Sequence, residues 1–279
     1  MKTKNNGKTL NCKGRLISLE EPKVMGILNV TGDSFYAESR VGNALIDKAA
    51  VLLEEGAAFL DIGGQSTRPG SIAVGPSEET DRVVPVIEDL LRHFPQALLS
   101  VDTYHSAVAS AAVKAGACIV NDISGGRLDE AMLSTVAALG VPYVAMHMQG
   151  TPETMQQDPH YTDVTREVLE YLGAVDKQAT DAGIHDVILD PGFGFGKNRG
   201  HNYRLMAELD LLVLLDRPIL VGVSRKSMIY KTLGISPEEA LNGTTVLHTV
   251  ALMKGADILR VHDVREAIEA IRLTSLLRR

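Results

Sequence analysis

The sequence predicts an α/β protein folded as a single (β/α)₈ barrel of the TIM-barrel class. Short apolar runs alternate with longer helical stretches eight times along the chain. These runs lack polar alternation, which is typical of parallel strands that are buried on both faces. The chain has 279 residues, and one such barrel needs about 250. A doubly wound sheet is the alternative, although it does not require eight repeats.

The repeat units can be placed along the chain from their strands. The predicted strands cover residues 24–30, 59–62, 97–102, 118–122, 142–147, 187–190, 218–223 and 257–262. The glycines expected to cap helix C-termini are Gly56, Gly116, Gly140, Gly183 and Gly255. No linker or low-complexity break separates the units, so one domain is expected over residues 1–279, beginning with a polar lead-in over 1–20.

Helix starts are predicted after three of the strands. The first helix is expected over residues 43–55. Ser77 is a typical N-cap residue and is expected to begin the helix that follows the second strand. The segment 236–239, SPEE, combines a capping box with Pro at the first helical position, so a helix is expected to begin there.

The stretch 187–197, VILDPGFGFGK, joins the sixth strand to a glycine-rich loop. It fails the phosphate-loop pattern, because Pro191 replaces the first glycine and Asn198 replaces the magnesium-binding Ser or Thr. It also fails the dinucleotide-binding pattern, because its glycines have GxGxG spacing. The glycines therefore indicate a strand–helix turn. Asp190 is expected to point into the mouth of the barrel, where such folds bind ligands.

Composition excludes several classes of function. A hydrophobic content of 45% supports a large core, and the net charge of −7 provides no basic field for nucleic acid. Cys12 and Cys118 have no metal-binding or disulfide spacing, which suits a reducing compartment. The N-terminus lacks the apolar core of a signal peptide, and no apolar run reaches the ~18 residues of a membrane span. A cytoplasmic protein that binds neither nucleic acid nor membrane is expected.

Polar residues end most of the predicted strands, and a barrel brings all strand ends to one pocket. The resulting inventory is Asn29, Asp61, Asp102, Asn121, Asp122, His147, Asp190, Lys226, Arg260 and His262. Two carboxylates and an amide, at Asp102, Asn121 and Asp190, suit a flat heterocycle with adjacent N–H donors. The pocket is therefore expected to bind such a ring.

Basic residues at the same mouth suit anionic groups. The residues expected to hold one anion are Asn29, Arg68, Arg260 and His262. Arg260 can also stack on a planar ring, and Lys226 with Ser227 can hold another anion at the start of the next helix. The sequence has no GxSxG nucleophile elbow and no HExxH metal spacing. The chemistry is therefore expected to be positioning and charge stabilisation around a leaving group.

Six segments carry a resemblance to a known family. They are residues 25–35 (MGILNVTGDSF), 61–70 (DIGGQSTRPG), 121–126 (NDISGG), 190–197 (DPGFGFGK), 224–228 (SRKSM) and 260–263 (RVHD). In this order they resemble dihydropteroate synthase, a family of pterin-binding (β/α)₈ barrels. The resemblance implies that para-aminobenzoate displaces diphosphate from hydroxymethyl-dihydropterin diphosphate to give dihydropteroate, with Mg²⁺ as cofactor.

The resemblance also implies roles for individual residues. The catalytic residues would be Asp33, Arg68, Asp102, Asp190, Lys226 and Arg260. The pterin pocket would be formed by Asp102, Asn121, Ile123, Met146, Asp190, Phe195, Gly222, Lys226 and Arg260. Diphosphate would be bound by Asn29, Arg68, Arg260 and His262, with Asn29 also binding the metal. Aminobenzoate would be bound by Phe35, Thr67, Arg68, Pro69, Phe195, Lys226 and Ser227.

The resemblance further implies a homodimeric enzyme of folate biosynthesis, from a family that sulfonamides target as mimics of aminobenzoate. Two alternative functions stay open. One is a methyl-tetrahydrofolate:corrinoid methyltransferase domain, which has a similar barrel but no use for the segments 66–70 and 224–228. The other is a pterin-binding paralogue with impaired turnover, suggested by departures from the family pattern at Gly32, where Pro is usual, and at Glu38.

We predict that Gly32→Pro lowers the KM for aminobenzoate or raises kcat. Proline fixes φ and narrows the unfolded ensemble of the first loop, whereas glycine widens it. Steady-state kinetics of the variant and the wild type would measure the effect. Unchanged kinetics would refute the interpretation of Gly32 as a loosening substitution.

Overall fold

The structure is a barrel of parallel strands surrounded by helices. The computed structural model describes residues 7–30, 40–65 and 74–277, with the backbone alone at 40–43. The strands are β1 (Thr9–Cys12), β2 (Arg15–Ser18), β3 (Lys23–Asn29), β4 (Phe59–Gly63), β5 (Leu99–Asp102), β6 (Ile119–Asp122), β7 (Tyr143–Met146), β8 (Val187–Asp190), β9 (Leu220–Val221) and β10 (Ile258–Val261). The helices are α1 (Arg40–Glu54), α2 (Pro76–His93), α3 (Ser106–Ala115), α4 (Met132–Leu139), α5 (Val164–Asp181), α6 (Arg199–Ala207), a 3₁₀ helix (Leu209–Leu215), α7 (Ser227–Leu233), α8 (Leu241–Met253) and α9 (Val264–Leu277).

Eight of the strands form one parallel sheet that closes on itself. The strand order is β8-β7-β6-β5-β4-β3-β10-β9. A parallel bridge between Leu189 and Ile219 joins the two ends of this order, and the Leu189 N–H donates to the Pro218 carbonyl at 2.8 Å. The predicted (β/α)₈ class is confirmed. The doubly wound alternative is wrong, because an open sheet has two free edges.

The barrel interior has an apolar lower layer and a polar upper layer. Inward-facing side chains alternate with outward-facing ones, so each lower residue is followed two positions later by an upper one. The lower layer contains Met25, Phe59, Leu98, Ile119, Val144, Ile188, Leu220 and Ile258. The upper layer accordingly contains Ile27, Asp61, Ser100, Asn121, Met146, Asp190, Gly222 and Arg260. Strand periodicity thus delivers polar side chains to one end.

A β-hairpin closes the lower end of the barrel. Strands β1 and β2 pair antiparallel, and Leu10, Cys12 and Leu19 are buried in the same cluster as the lower layer. Lys13 Nζ donates to the Val113 carbonyl at 2.6 Å and ties the hairpin to α3. No strand was predicted in the polar lead-in, because two four-residue strands give too short a pattern to recognise.

Two predicted helix starts are wrong. The N-cap of α2 is Gly75, and Ser77 lies inside the helix without capping it. Helix α8 begins at Leu241, later than expected. The Ser236 N–H does donate a hydrogen bond to Glu239 Oε2 at 3.0 Å. The capping residues in segment 236–239 therefore form a local turn, whose hydrogen bond is independent of whether a helix follows.

The glycines predicted the ends of helices correctly, whereas Ser77 and Ser236 did not predict where helices begin. Each of the five glycines predicted to end a helix has positive φ, the conformation that favours glycine at a C-terminal cap.

Helix α1 begins at Arg40, three residues before its predicted start. Helix α7 begins at Ser227, where a helix start was expected, whereas α6 and the 3₁₀ helix were not predicted individually. In the described part of the chain, no helix is both long and apolar enough to span a bilayer.

Candidate active site

Arg260 on β10 forms the central interaction of the upper layer. Its Nε lies 2.6 Å from Asp61 Oδ2 on β4, and its Nη2 lies 2.6 Å from Asp102 Oδ2 on β5. Asn121 Nδ2 on β6 donates to the same Asp61 oxygen at 3.0 Å. The two carboxylates and the amide are buried, and the β5–β6 register pairs Asp102 with Asn121. Four strands therefore contribute to one polar network.

The electrostatics of this network leave a carboxylate oxygen available to a ligand. Burial raises the pKa of Asp102 to about 7, although Arg260 lowers it, and Asp61 and Asp190 raise it further. Burial alone would lower the pKa of Arg260, but Asp61 and Asp102 raise it, so the guanidinium stays charged. Oδ1 of Asp102 is buried and has no hydrogen-bond partner among the described residues. It can accept a hydrogen bond from a bound ring.

Asp190 and Lys226 form a second pair of opposite charges. The Asp190 carboxylate accepts from the Gly192 N–H at 2.7 Å. Burial raises the pKa of Asp190, and the charge of Lys226 opposes this shift. Burial lowers the pKa of Lys226 to about 8, and the charge of Asp190 opposes that shift. Lys226 Nζ donates to the Phe193 carbonyl and lies 4.6 Å from the centroid of the Phe195 ring. The loop after β8 therefore holds Lys226 by a hydrogen bond and a cation–π contact.

Gly222 and an apolar cluster shape the rest of the pocket. A Cβ atom at Gly222 would lie 3.8 Å from Arg260 Cβ and 4.0 Å from Lys226 Nζ, so glycine keeps the space between the two basic side chains open. The apolar cluster, with the residues packed against it, consists of Ile123, Met146, Met148, Met155, Tyr104 and Phe195. Ile123, Met146 and Phe195 were predicted from the family resemblance, whereas Met148, Met155 and Tyr104 were missed because they are neither strand ends nor implied by it.

Arg225 ties together the two turns that carry Lys226 and His262. Its Nε and Nη2 each lie 2.8 Å from a carboxylate oxygen of Asp263. Ser224 Oγ accepts from the His262 N–H at 3.2 Å. Arg225 has a φ of 53°, which is rare outside glycine and shows that the turn is tightly constrained. Arg225 and Asp263 were not predicted, because their pairing joins two separate turns.

Asn29 lies at the rim beside the central network. A Cβ atom at Gly63 would lie 3.6 Å from Asn29 Oδ1 and 3.7 Å from Asp102 Cβ, so these two side chains flank the end of β4. The residues that the structure brings to the upper end of the barrel are Asn29, Asp102, Asn121, Ile123, Met146, Asp190, Phe195, Gly222, Lys226, Ser227, Arg260 and His262. The convergence predicted from the sequence is therefore present.

Two members of the predicted inventory, Asp122 and His147, belong to the fold and not to the mouth. Asp122 accepts from the Tyr143 hydroxyl at 2.7 Å and from the Ser124 N–H at 2.7 Å, and it is fully buried. It follows the inward-facing Asn121, so its side chain points to the other face of the sheet. His147 likewise follows an upper-layer residue by one position and is buried.

Part of the predicted site lies outside the described residues. The site residues concerned are Asp33, Phe35, Thr67, Arg68 and Pro69, and the two departures from the family pattern are Gly32 and Glu38. The roles implied for these residues stay predictions. The described rim contains the whole predicted pterin pocket, whereas most of the predicted aminobenzoate pocket falls in residues 31–39 and 66–73.

Known proteins match this arrangement over nearly the whole chain. The pterin binding enzyme family matches residues 25–262. The dihydropteroate synthase of Escherichia coli K12 is 44% identical over 269 residues, which are 95% of this chain and 94% of that protein. The chain belongs to the dihydropteroate synthase family. The resemblance stated from the motifs, and with it the expected transferase class, is confirmed.

Solved structures of dihydropteroate synthases agree with the fold. The Xanthomonas albilineans enzyme with 4-aminobenzoic acid superposes with a TM-score of 0.90 at 42% identity, covering 98% of both chains. The same enzyme has also been solved with 7,8-dihydropteroate, with a TM-score of 0.85 at 40% identity over 97% of this chain and 98% of that one. The Yersinia pestis enzyme in a sulfonamide drug complex has a TM-score of 0.91 at 41% identity, over 97% of this chain and 99% of that one.

In this member of the dihydropteroate synthase family, the carboxyl group of Glu79 on α2 is buried behind the end of β4. Gln65 Nε2 donates to Glu79 Oε2 at 3.3 Å, and His105 Nε2 lies 4.0 Å from the same oxygen. Arg82, one turn along the helix, donates instead to the Gly64 carbonyl at 2.8 Å. Burial raises the pKa of Glu79 to about 8, so the group is mostly protonated at neutral pH.

We predict that Glu79→Gln stabilises the protein increasingly as the pH rises from 5 to 8. Below the unfolded pKa the carboxyl is protonated in both states. Between the unfolded pKa of about 4.5 and the folded pKa of about 8, unfolding releases the proton, so wild-type stability falls. The difference at pH 8 should be on the order of 2–4 kcal/mol, as measured by chemical denaturation.

The control variant is Glu88→Gln, which changes an exposed carboxylate on the same helix. It should leave the pH dependence of unfolding unchanged. If the free energy of unfolding changed with pH in the same way for wild type and Glu79→Gln, Glu79 would not be protonated in the folded protein at neutral pH.

Proposed function

We propose that the chain condenses para-aminobenzoate with hydroxymethyl-dihydropterin diphosphate, releasing diphosphate and forming dihydropteroate. The observation that carries this proposal is the convergence of Asp102, Asn121, Asp190, Lys226 and Arg260 on one rim. Family membership and the Xanthomonas albilineans complexes with 4-aminobenzoic acid and 7,8-dihydropteroate support the same reaction.

The upper layer suits the pterin ring. Its aminopyrimidine edge offers adjacent N–H donors, and Asp102, Asp190 and Asn121 supply the matching acceptors. Lys226 is assigned to the ring carbonyl and ring nitrogen, as the family resemblance implies. Arg260 presents a planar guanidinium for stacking, and its two carboxylate partners keep that plane fixed.

The reaction follows from charge stabilisation. The bond between the pterin methylene carbon and the diphosphate oxygen breaks first, with its electron pair leaving on the diphosphate. The dihydropterin delocalises the positive charge, which the carboxylates of Asp102 and Asp190 stabilise. The aminobenzoate nitrogen then forms the new bond to the methylene carbon and loses a proton to the departing diphosphate or to water. A weakly basic aniline therefore needs no strong base.

Mg²⁺ is proposed as the cofactor, bound chiefly by the substrate diphosphate. Mg²⁺ commonly binds proteins through one or two side-chain oxygens together with phosphate and water. Asn29 Oδ1 fits that role, because it lies at the rim beside Asp102. Within the described ranges, no group of three or more acidic, histidine or cysteine side chains could hold a metal on its own. When bound, Mg²⁺ would neutralise charge on the leaving diphosphate.

Aminobenzoate binding is proposed at the rim near Lys226. The Phe195 ring contacts the Lys226 ammonium, and Ser227 follows Lys226 at the start of α7. Phe35, Thr67, Arg68 and Pro69 are assigned to the same pocket, and Arg68 also to the diphosphate, from the family resemblance. The sulfonamide complex of the Yersinia pestis enzyme supports the proposal that sulfonamides compete with aminobenzoate here.

A homodimer is proposed as the working form. Helices α8 and α9 pack together and expose large apolar side chains, which suits burial against a second copy. The side chains concerned, each at least half exposed, are Val246, Met253, Leu273, Leu276 and Leu277. The cytoplasmic location stays a prediction from the sequence. The described residues favour neither the corrinoid methyltransferase nor the impaired paralogue, and Gly32 and Glu38, which suggested the latter, lie outside them.

A diphosphate-release assay with the pterin diphosphate, run with and without aminobenzoate, tests the proposal. The wild type should release diphosphate and form dihydropteroate when both substrates are present. Asp102→Asn should lower kcat/KM by about 100-fold, because it removes a carboxylate that stabilises the cationic transition state. Asp81→Asn, at an exposed position on α2, is the matched control and should behave as wild type.

Two outcomes would contradict the proposed function. Pterin binding without diphosphate release in the wild type would identify the impaired paralogue. Methyl transfer from methyl-tetrahydrofolate would identify the methyltransferase. Unfolding midpoints of the two Asn variants should be measured first, because Arg260 loses one of its carboxylate partners in Asp102→Asn.

A further inference from the structure

Lys197, the last residue of the glycine-rich loop, is a buried base that the proposed mechanism does not use. No carboxylate lies within ion-pair distance of its ammonium in the part of the chain that is described. Nζ donates instead to the Gly192 carbonyl at 2.9 Å, to the Phe195 carbonyl at 3.1 Å and to the His147 carbonyl at 3.4 Å, and it lies 2.8 Å from His147 Nδ1. The side chain thus spans the loop from its first turn to its end.

His147 is the side-chain acceptor in this arrangement. Burial and the charges of Lys197 and Arg127 lower the pKa of His147 to about 2, so the ring is neutral. A neutral imidazole that accepts at Nδ1 carries its proton on Nε2. The ring packs edge-on against Tyr171 with centroids 4.9 Å apart, which fixes its orientation. Lys197 is therefore anchored to the residue that follows β7.

The loop backbone lies directly against the end of β7. A Cβ atom at Gly192 would come within 1.9 Å of the His147 carbonyl oxygen, and one at Gly196 within 2.5 Å of the Gln149 carbonyl oxygen. Both glycines also have positive φ. Such close backbone contact leaves the loop few alternative paths, and the hydrogen bonds of Lys197 to both sides of this contact hold it on this path.

The same loop carries the groups that hold Lys226. The Phe193 carbonyl accepts from Lys226 Nζ, and the Phe195 ring lies under it. The Phe195 carbonyl, which Lys197 holds, belongs to the residue whose ring contacts Lys226. The contacts therefore run without a gap from His147 through Lys197 and Phe195 to Lys226.

We propose that Lys197, anchored by His147, is a positioning residue for the reaction, which fixes the loop that orients Phe195 and Lys226. This inference rests on the proposed function, because it takes the upper layer as the pterin pocket. Burial lowers the pKa of Lys197 well below its ordinary value, and the nearby charge of Lys226 lowers it further. Replacing Lys197 by a neutral residue that cannot donate should loosen the loop.

The test compares Lys197→Met, His147→Ala and His147→Asn with wild type. Calorimetric binding of 6-hydroxymethylpterin and substrate kinetics are measured for each. Lys197→Met and His147→Ala should weaken pterin binding and kcat/KM by about 10-fold or more. His147→Asn should stay within about 3-fold of wild type, because the Asn oxygen can replace Nδ1 as acceptor.

Lys177→Met is the matched control, since it removes an exposed lysine that pairs with Asp181 on α5. It should change none of these quantities. Binding is measured well below the lowest unfolding midpoint. If Lys197→Met does not fold, the His147 pair decides, because both variants keep Lys197.

The inference is overturned if folded His147→Ala binds pterin as wild type does, or if His147→Asn is as defective as His147→Ala. The second result would mean that the imidazole ring matters for packing and not as an acceptor. These failures are distinct from a failure of the proposed function, in which the wild type itself would release no diphosphate when both substrates are present.

Discussion

The buried contacts of Arg260 with Asp61 and Asp102 constrain the whole upper end of the barrel. Removing one partner of a buried ion pair commonly costs about 3–5 kcal/mol, so a substrate cannot easily rearrange these side chains. The pairing fixes which oxygen of Asp102 is left to accept from a ligand. Because such networks add little stability over an apolar core, the apolar lower layer and the hairpin beneath it must supply the cohesion.

Strand periodicity explains why much of this arrangement was predictable from the sequence. An apolar residue in the lower layer and a polar one two positions later, as in Ile188 and Asp190, appear in the sequence as an apolar run ending in a carboxylate. Eight such runs indicated the barrel, and their last residues indicated the rim. The same rule separates Asn121, which faces inward, from Asp122, which does not, although both were predicted at the rim.

The features that escaped prediction depend on contacts between side chains far apart in the chain. The pairing of Arg225 with Asp263 and the anchoring of Lys197 by His147 join residues on different turns, and no local pattern encodes them. Helix starts failed for a related reason. A residue such as Ser77 can cap a helix, but the tertiary path of the chain decided where α2 begins.

The charges inside the rim suggest how the site adapts to its substrates. Burial brings the pKa of Asp102 up to about 7 and that of Lys226 down to about 8, so both groups titrate near neutral pH. Hydrogen bonds from a bound pterin to Asp102 favour its ionised form. In the proposed mechanism, binding therefore places a carboxylate beside the ring before positive charge develops on it. A rim held by Arg260 on one side and, as proposed, by the Lys197 loop on the other would need little reorganisation at that step, and such preorganisation would lower the barrier.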